Sequence, residues 1–92
     1  MIEFEFKIKH QYGLHTRPCN TIVKNILKYD NISVNVTKKE TKQTINGRSI
    51  ISLMCLVLKQ DDIIKFTIQD KNLKNEIKLK NELINYLKKG ID

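Results

Sequence analysis

Cysteine is scarce and scattered in this chain, and that narrows its chemistry. Cys19 and Cys55 stand alone with no Cys-x-x-Cys pair, so neither a disulfide framework nor a thiolate metal site is expected. Both fall on the apolar side of predicted helices and read as buried free thiols in a reducing compartment. No apolar run approaches the ~18 residues of a membrane span. Met1-Ile2-Glu3-Phe4 alternates at once, without the basic and then apolar stretches of a leader. A cytoplasmic chain with no membrane insertion is expected. Acidic residues are also few: ten Asp and Glu against 17 Lys and Arg give a formal charge of +7. Such a charge suits nucleic acid, an anionic membrane or acidic proteins. The lysines, however, are spread among isoleucines and asparagines, and no basic and aromatic stacking platform is present. A nucleic-acid partner is not expected.

What is present fits one small domain over residues 1–92, able to bury roughly two-thirds of its unfolded surface. Ile2, Phe4, Phe6 and Ile8 alternate with Glu3, Glu5 and Lys7, which predicts a half-buried strand. His10 follows in a loop and reads as a solvated residue. Cys19, Ile22, Val23, Ile26 and Leu27 then recur at helical spacing, predicting a helix from about Arg17 to Lys28 or Tyr29. Ile32, Val34 and Val36 make a second strand. The polar stretch Thr41 to Ile45 makes a third, suited to a sheet edge. Asn46-Gly47 signals a turn. Ser49 heads the apolar run Ile50 to Leu58, where periodicity leaves helix and strand open and the leading serine favours a short helix. Ile63, Ile64, Phe66 and Ile68 give a fourth strand. From about Lys71 to Lys89 a helix is expected, with Leu73, Ile77, Leu83, Ile84 and Leu87 as its apolar stripe, Leu79 at the flank and Gly90 as C-cap. The order β-α-β-β-α-β-α, with one-sided strands, implies a two-layer α+β sandwich carrying all three helices on the sheet's apolar face.

The chemistry converges on Gly13-Leu14-His15-Thr16-Arg17-Pro18. Pro18 has no backbone N–H and suits the first turn of a helix. His15 therefore sits in the connection feeding that helix, with Thr16 as the expected N-cap. Free amides and the positive end of the helix dipole favour an anion there. Arg17 adds a planar charged fork suited to phosphate oxygens. Imidazole, guanidinium and helix end together suggest a phosphorylatable histidine. The chain lacks a P-loop, paired carboxylates for magnesium and a general-base constellation. It has the means to hold a phosphoryl group and no evident means to make or hydrolyse one.

These residues resemble the active-site signature of HPr, the histidine phosphocarrier family of the bacterial phosphoenolpyruvate-dependent sugar phosphotransferase system. Arg48-Ser49-Ile50-Ile51 with Leu53-Met54 is similar to the family's second signature, and the elements match across almost the whole chain. The resemblance implies an open-faced sandwich with a four-stranded antiparallel sheet in spatial order 1-4-2-3. It also implies a carrier, not a stand-alone turnover enzyme, with phosphate on Nδ1 of His15, Arg17 as clamp, and Thr16, Arg17 and Pro18 forming the cradle. Phospho-enzyme I is then the donor and enzyme IIA domains the acceptors, with no cofactor and no metal. Ser49 has a complete reading as an N-cap, and a second one as a regulatory site for an HPr kinase, as in some lineages. Thr16, Arg48, Ile50, Ile51 and Met54 match docking positions, although one face of the helix that carries Ile50, Ile51 and Met54 must be core. Lys24 and Lys28 form either a basic rim for partners or a solvated helix face. A monomer is expected. Three departures stand out: Cys19 replaces a common alanine, Gln60 a frequent turn glycine, and the stretch between Tyr29 and Ser49 is slightly longer than usual. The rival readings are a regulatory HPr-like protein using the same histidine, and a basic binding module.

Overall fold

Alternation along the first strand survives in three dimensions. In the computed structural model, which describes residues 1–89, β1 (Ile2–Lys7) turns Ile2, Phe4 and Phe6 inward and Glu3, Glu5 and Lys7 to solvent. Helix α1 (Thr16–Leu27) follows, then β2 (Ser33–Lys38), β3 (Gln43–Asn46), α2 (Ile50–Cys55), β4 (Ile63–Gln69) and α3 (Leu73–Lys88). The strands form one antiparallel sheet in the order β1-β4-β2-β3. The helices share one face of it, giving the expected open-faced sandwich.

The last strand in sequence lies in the middle of the sheet. In β4, Phe66 is paired with Phe4 of β1 on one side and Val36 of β2 on the other. The Phe4 and Phe66 rings stack with centroids 5.0 Å apart. Ile64, Phe66 and Ile68 are fully buried, as β-branched and aromatic side chains on a pleated, covered surface should be. The polar strand β3 occupies the edge, with Gln43 and Thr44 exposed and only Ile45 half-buried. Polar side chains there blunt an open row of backbone groups. On the open face Glu5 and Lys39 lie 2.7 Å apart, an exposed pair that contributes at most ~1 kcal/mol.

Helix α1 buries Cys19, Ile22, Val23 and Ile26, while Leu27 is largely exposed. In α3 the inward line differs from the expected one. Leu79, Leu83 and Leu87 are buried, whereas Leu73 and Ile77 are 58% and 45% exposed. Positions 76, 79, 83 and 87 follow the i, i+3, i+7, i+11 line of one helix face, so the stripe centres on Leu79 and carries Glu76 with it. Glu76 is 1% exposed. Its Oε2 accepts from the Asp70 amide at 2.8 Å, and its Oε1 lies 3.2 Å from the amino group of Met1. A carboxylate so held can occupy a core position that pattern reading reserves for an apolar side chain. Asn72 is the N-cap, its side chain accepting from the Lys74 amide at 2.9 Å. Gly90, read as the C-cap, lies outside the described residues.

Cys55, expected to be buried, is exposed at the last position of α2. That helix is only six residues long, and Leu53 alone of them is fully buried. Arg48 ties the β3–α2 connection to the α1–β2 connection, its Nη1 donating to the carbonyls of Tyr29 at 2.7 Å and Ile32 at 3.1 Å.

The shifted stripe of α3 is testable by paired truncations. Leu79→Ala should lower unfolding stability by ~2–5 kcal/mol, and Leu73→Ala by less than about 1 kcal/mol. Denaturant titration of both variants distinguishes this stripe from one centred on Leu73.

Candidate functional site

The loop before α1 is built by a tight turn. Gly13 N donates to His10 O at 2.9 Å, closing residues 10–13. Gly13 has φ +67°, where side chains other than glycine are rarely found. It also lies so close to the segment after α2 that an added Cβ would fall 2.1 Å from the Leu58 carbonyl oxygen and 2.8 Å from Lys59 Cα. The next residue completes the junction, Leu14 N donating to the same Leu58 oxygen at 3.0 Å, with its side chain buried. His15 is thereby delivered to the start of α1 on a fixed support.

Here the structure corrects the expected cap. His15, not Thr16, is the N-cap of α1, with φ −90° and ψ −168°, and no side chain caps the helix. Thr16 is already the first helical residue, because the chain turns helical directly after the extended His15. Pro18 is the third helical residue and has no amide, and Cys19 N donates to His15 O at 3.1 Å. The amides of Thr16 and Arg17 are left as the helix's open donors. An N-cap side chain normally brings an oxygen to such amides. His15 brings an exposed imidazole instead.

Around it lie two shallow depressions. One is lined by His15, Thr16, Arg17, Asn20 and Ile50. In the other, Tyr12, Met54, Val57 and Lys59 flank His15. Neither contains an acidic side chain, and Arg17 and Lys59 are cations, so the field favours an anion. A separate recess between Tyr29, Asp30, Asp70 and Asn72 lies at the far end of α1 and presents no histidine. Among the described residues, no three His, Cys, Asp or Glu side chains are grouped to hold a metal ion, and no helix is long and apolar enough to cross a membrane.

The predicted residues divide according to where folding puts them. His15, Thr16, Arg17, Ile50 and Met54 are brought together, with Pro18 buried beneath as the support of the first turn. Ile51 is 73% exposed on α2 and Met54 41%, whereas Ile50 is half-buried against the core. Ser49 caps α2, its Oγ accepting from the Ser52 amide at 3.2 Å. Arg48 is turned inward onto two carbonyls. Lys24 is exposed further along α1. Lys28 lies beyond the end of α1, its Nζ 3.7 Å from Glu82.

Sequence reasoning missed Tyr12, Asn20, Val57 and Lys59 among the residues around His15. The legible signal was His10 and Gly13 at the two ends of a four-residue turn. Val57 gave none: it sits at φ +50°, uncommon for a β-branched residue, and is 60% exposed. Lys38 Nζ holds its carbonyl at 3.2 Å and lies 3.7 Å from Asp62. Gln60 has no need of the glycine it replaces, because Asp61 takes the positive φ of +74° while Gln60 Nε2 donates to Lys9 O at 3.2 Å.

Behind the site, burial pushes the Cys19 thiol up from 9.0 to about 11, and its Sγ lies 3.7 Å from the Leu14 oxygen.

Comparison with known proteins points the same way. Residues 2–86 match the PTS-HPr family, described as the PTS HPr component phosphorylation site. The chain is 30% identical over 79 residues to the multiphosphoryl transfer protein of Salmonella typhimurium, covering 85% of this chain and 21% of that one. It thus spans about a fifth of the length of the curated relatives it matches. A crystal structure of HPr from Thermoanaerobacter tengcongensis is 26% identical, with TM-score 0.78 over 96% of this chain and 92% of that one. A phosphocarrier protein HPr from Bacillus anthracis shares the fold at 19% identity, TM-score 0.78, over 94% of this chain and 95% of that one.

Two outcomes follow from this geometry. Gly13→Ala should cost ~1–3 kcal/mol, since the new Cβ must displace backbone in a left-handed conformation. Its denaturation midpoint checks this. The raised Cys19 value means that the folded state keeps a proton the unfolded chain loses. Stability is then full below pH 9 and falls as pH rises from 9 to about 11. Cys19→Ala should remove that part of the alkaline decline in thermal unfolding curves.

Proposed function

The chain belongs to the PTS-HPr family of phosphotransferase-system phosphocarriers, and on that premise we propose that His15 takes a phosphoryl group from phospho-enzyme I and passes it to enzyme IIA domains in sugar uptake. The observation that carries this reading is the exposed imidazole at the uncapped N-terminus of α1. In the reaction, the Nδ1 lone pair of His15 attacks phosphorus. The bond from phosphorus to its donor breaks, the electron pair leaving with the donor, and His15 keeps its proton on Nε2. The phosphoryl oxygens then enter the position where an Asp or Ser side chain would cap a helix, within reach of the Thr16 and Arg17 amides. The Arg17 guanidinium, in no ion pair among the described residues, is the clamp on the outer oxygens. A static cradle of this kind stabilises the charge without activating water, which suits a carrier whose partners supply the alignment for transfer.

Docking in this reading uses the accessible part of Ile50 and the exposed Met54, which line the depressions around His15, with Ile51 exposed on the same helix. An apolar patch with cationic neighbours suits partners bearing an apolar centre and acidic rim. Lys24 belongs to that cationic rim. Arg48 and Lys28 are occupied within the chain and contribute less. The carrier works in the cytoplasm as a monomer, without cofactor or metal. The cap role of Ser49 accounts for its position without recourse to a kinase.

The test is phosphate transfer from labelled phosphoenolpyruvate through enzyme I. Wild-type chain should acquire acid-labile label, and His15→Ala should acquire none. Equal labelling of the two would refute the assignment.

A further inference from the structure

Beside His15 stands a second imidazole that the carrier reading leaves unused. His10 holds the first position of the turn closed by Gly13, where Asp, Asn or Ser commonly accept from the amide two residues on. The imidazole does the same here: its Nδ1 accepts from Tyr12 N at 3.1 Å. An accepting Nδ1 carries no proton, so the neutral ring has its proton on Nε2. No hydrogen bond among the described residues uses that N–H. The His10 and His15 rings lie 6.1 Å apart between centroids, tilted by 57°. The two rings are direct neighbours at ordinary ring-pair distance, and the His10 backbone is held in place. Asp61 N donates to Ile8 O at 2.7 Å, and Gln60 Nε2 donates to Lys9 O at 3.2 Å. The turn thus fixes the tautomer and leaves a spare donor on the ring that neighbours His15.

We infer that His10 is a phosphoryl-binding residue, its Nε2–H donating to an oxygen of the phosphoryl group carried on His15. The inference rests on the carrier reading of His15 and adds to it a donor from outside the helix. The open amides and Arg17 lie on the α1 side of the imidazole, and His10 lies on the turn side, so the phosphoryl group is held from two directions. A hydrogen bond to a phosphoryl oxygen is charge-assisted and among the stronger ones. It forms only after transfer, so it favours the loaded carrier over the loaded donor.

Two substitutions separate this role from the turn. His10→Asn keeps an acceptor for Tyr12 N, in a position where Asn is preferred, and removes the outer donor. His10→Gln keeps an N–H near the place of Nε2. Phosphoryl exchange between phospho-enzyme I and each variant is brought to equilibrium, and the His10 side-chain nitrogen resonances of wild type are recorded before and after loading. The Nε2 resonance should shift on loading, and His10→Asn should move the equilibrium roughly tenfold toward enzyme I. His10→Gln should recover most of that loss. A wild-type equilibrium in His10→Asn, or an unmoved Nε2 resonance, overturns the inference while leaving the carrier intact. If His10→Asn does not fold, the wild-type resonance alone decides. Absence of label on wild type overturns the carrier reading, and the inference with it.

Discussion

The site depends on one close approach, that of Gly13 to the Leu58 carbonyl. Two segments far apart in sequence meet there, the loop that ends in His15 and the strap that leaves α2. The Leu14 amide bonds the same oxygen, and the buried Leu14 side chain fills the space behind it. Because Gly13 has no Cβ and tolerates positive φ, the backbones can touch. The same approach brings Met54 and Val57 into the surroundings of His15. One contact thus sets the place of His15 and of the exposed apolar residues near it.

At the start of α1 the protein leaves a helix end deliberately incomplete in physical terms. Most helices satisfy their first amides with a side-chain oxygen. Here the cap residue has an imidazole, and the third helical position is a proline with no amide to satisfy. Two open donors thus remain beside a nucleophilic nitrogen. On the proposed reading, a phosphoryl group on that nitrogen supplies the missing oxygens, so that loading also completes the helix. The gain is modest, ~0.3–1 kcal/mol for the dipole at an exposed terminus, and a modest gain suits a group that must be released again. Cys19, buried one turn on, plays no visible part in this chemistry. Its raised pKa keeps the thiol protonated and inert at neutral pH.

The charge that dominates the composition is spread over the surface. Lys39 lies near Glu5, Lys28 near Glu82, and Lys38 near Asp62, so part of it is matched locally. Lys38 is the exception in kind. It is mostly buried, and its ammonium holds the carbonyl of Val57, whose backbone is in the left-handed region. A cation from β2 thereby steadies an exposed apolar residue beside His15.

Much of this protein was legible from residue order alone. Alternation and helical spacing placed the longer elements, because a one-sided sheet and its covering helices impose their periods wherever a face is buried, while the short α2 was legible only from its leading serine. The signature around His15 was legible because glycine, proline and arginine each do one thing that few residues can do. Three things were not legible. Whether Glu76 could occupy a core position depended on the Asp70 amide and the Met1 amino group, partners that only folding brings to it. Whether Arg48 faced outward depended on carbonyls of Tyr29 and Ile32 that have no signal in sequence. The six-residue α2 cannot display a period long enough to show which side of it is core, and Cys55, whose surroundings suggest the inner side, lies outside. Local periodicity and special residues determined most of the elements and singled out His15 as the candidate nucleophile. The neighbours of each side chain, and therefore what surrounds His15, were decided by long-range contact, because distant segments meet only when the sheet and helices have closed on one another.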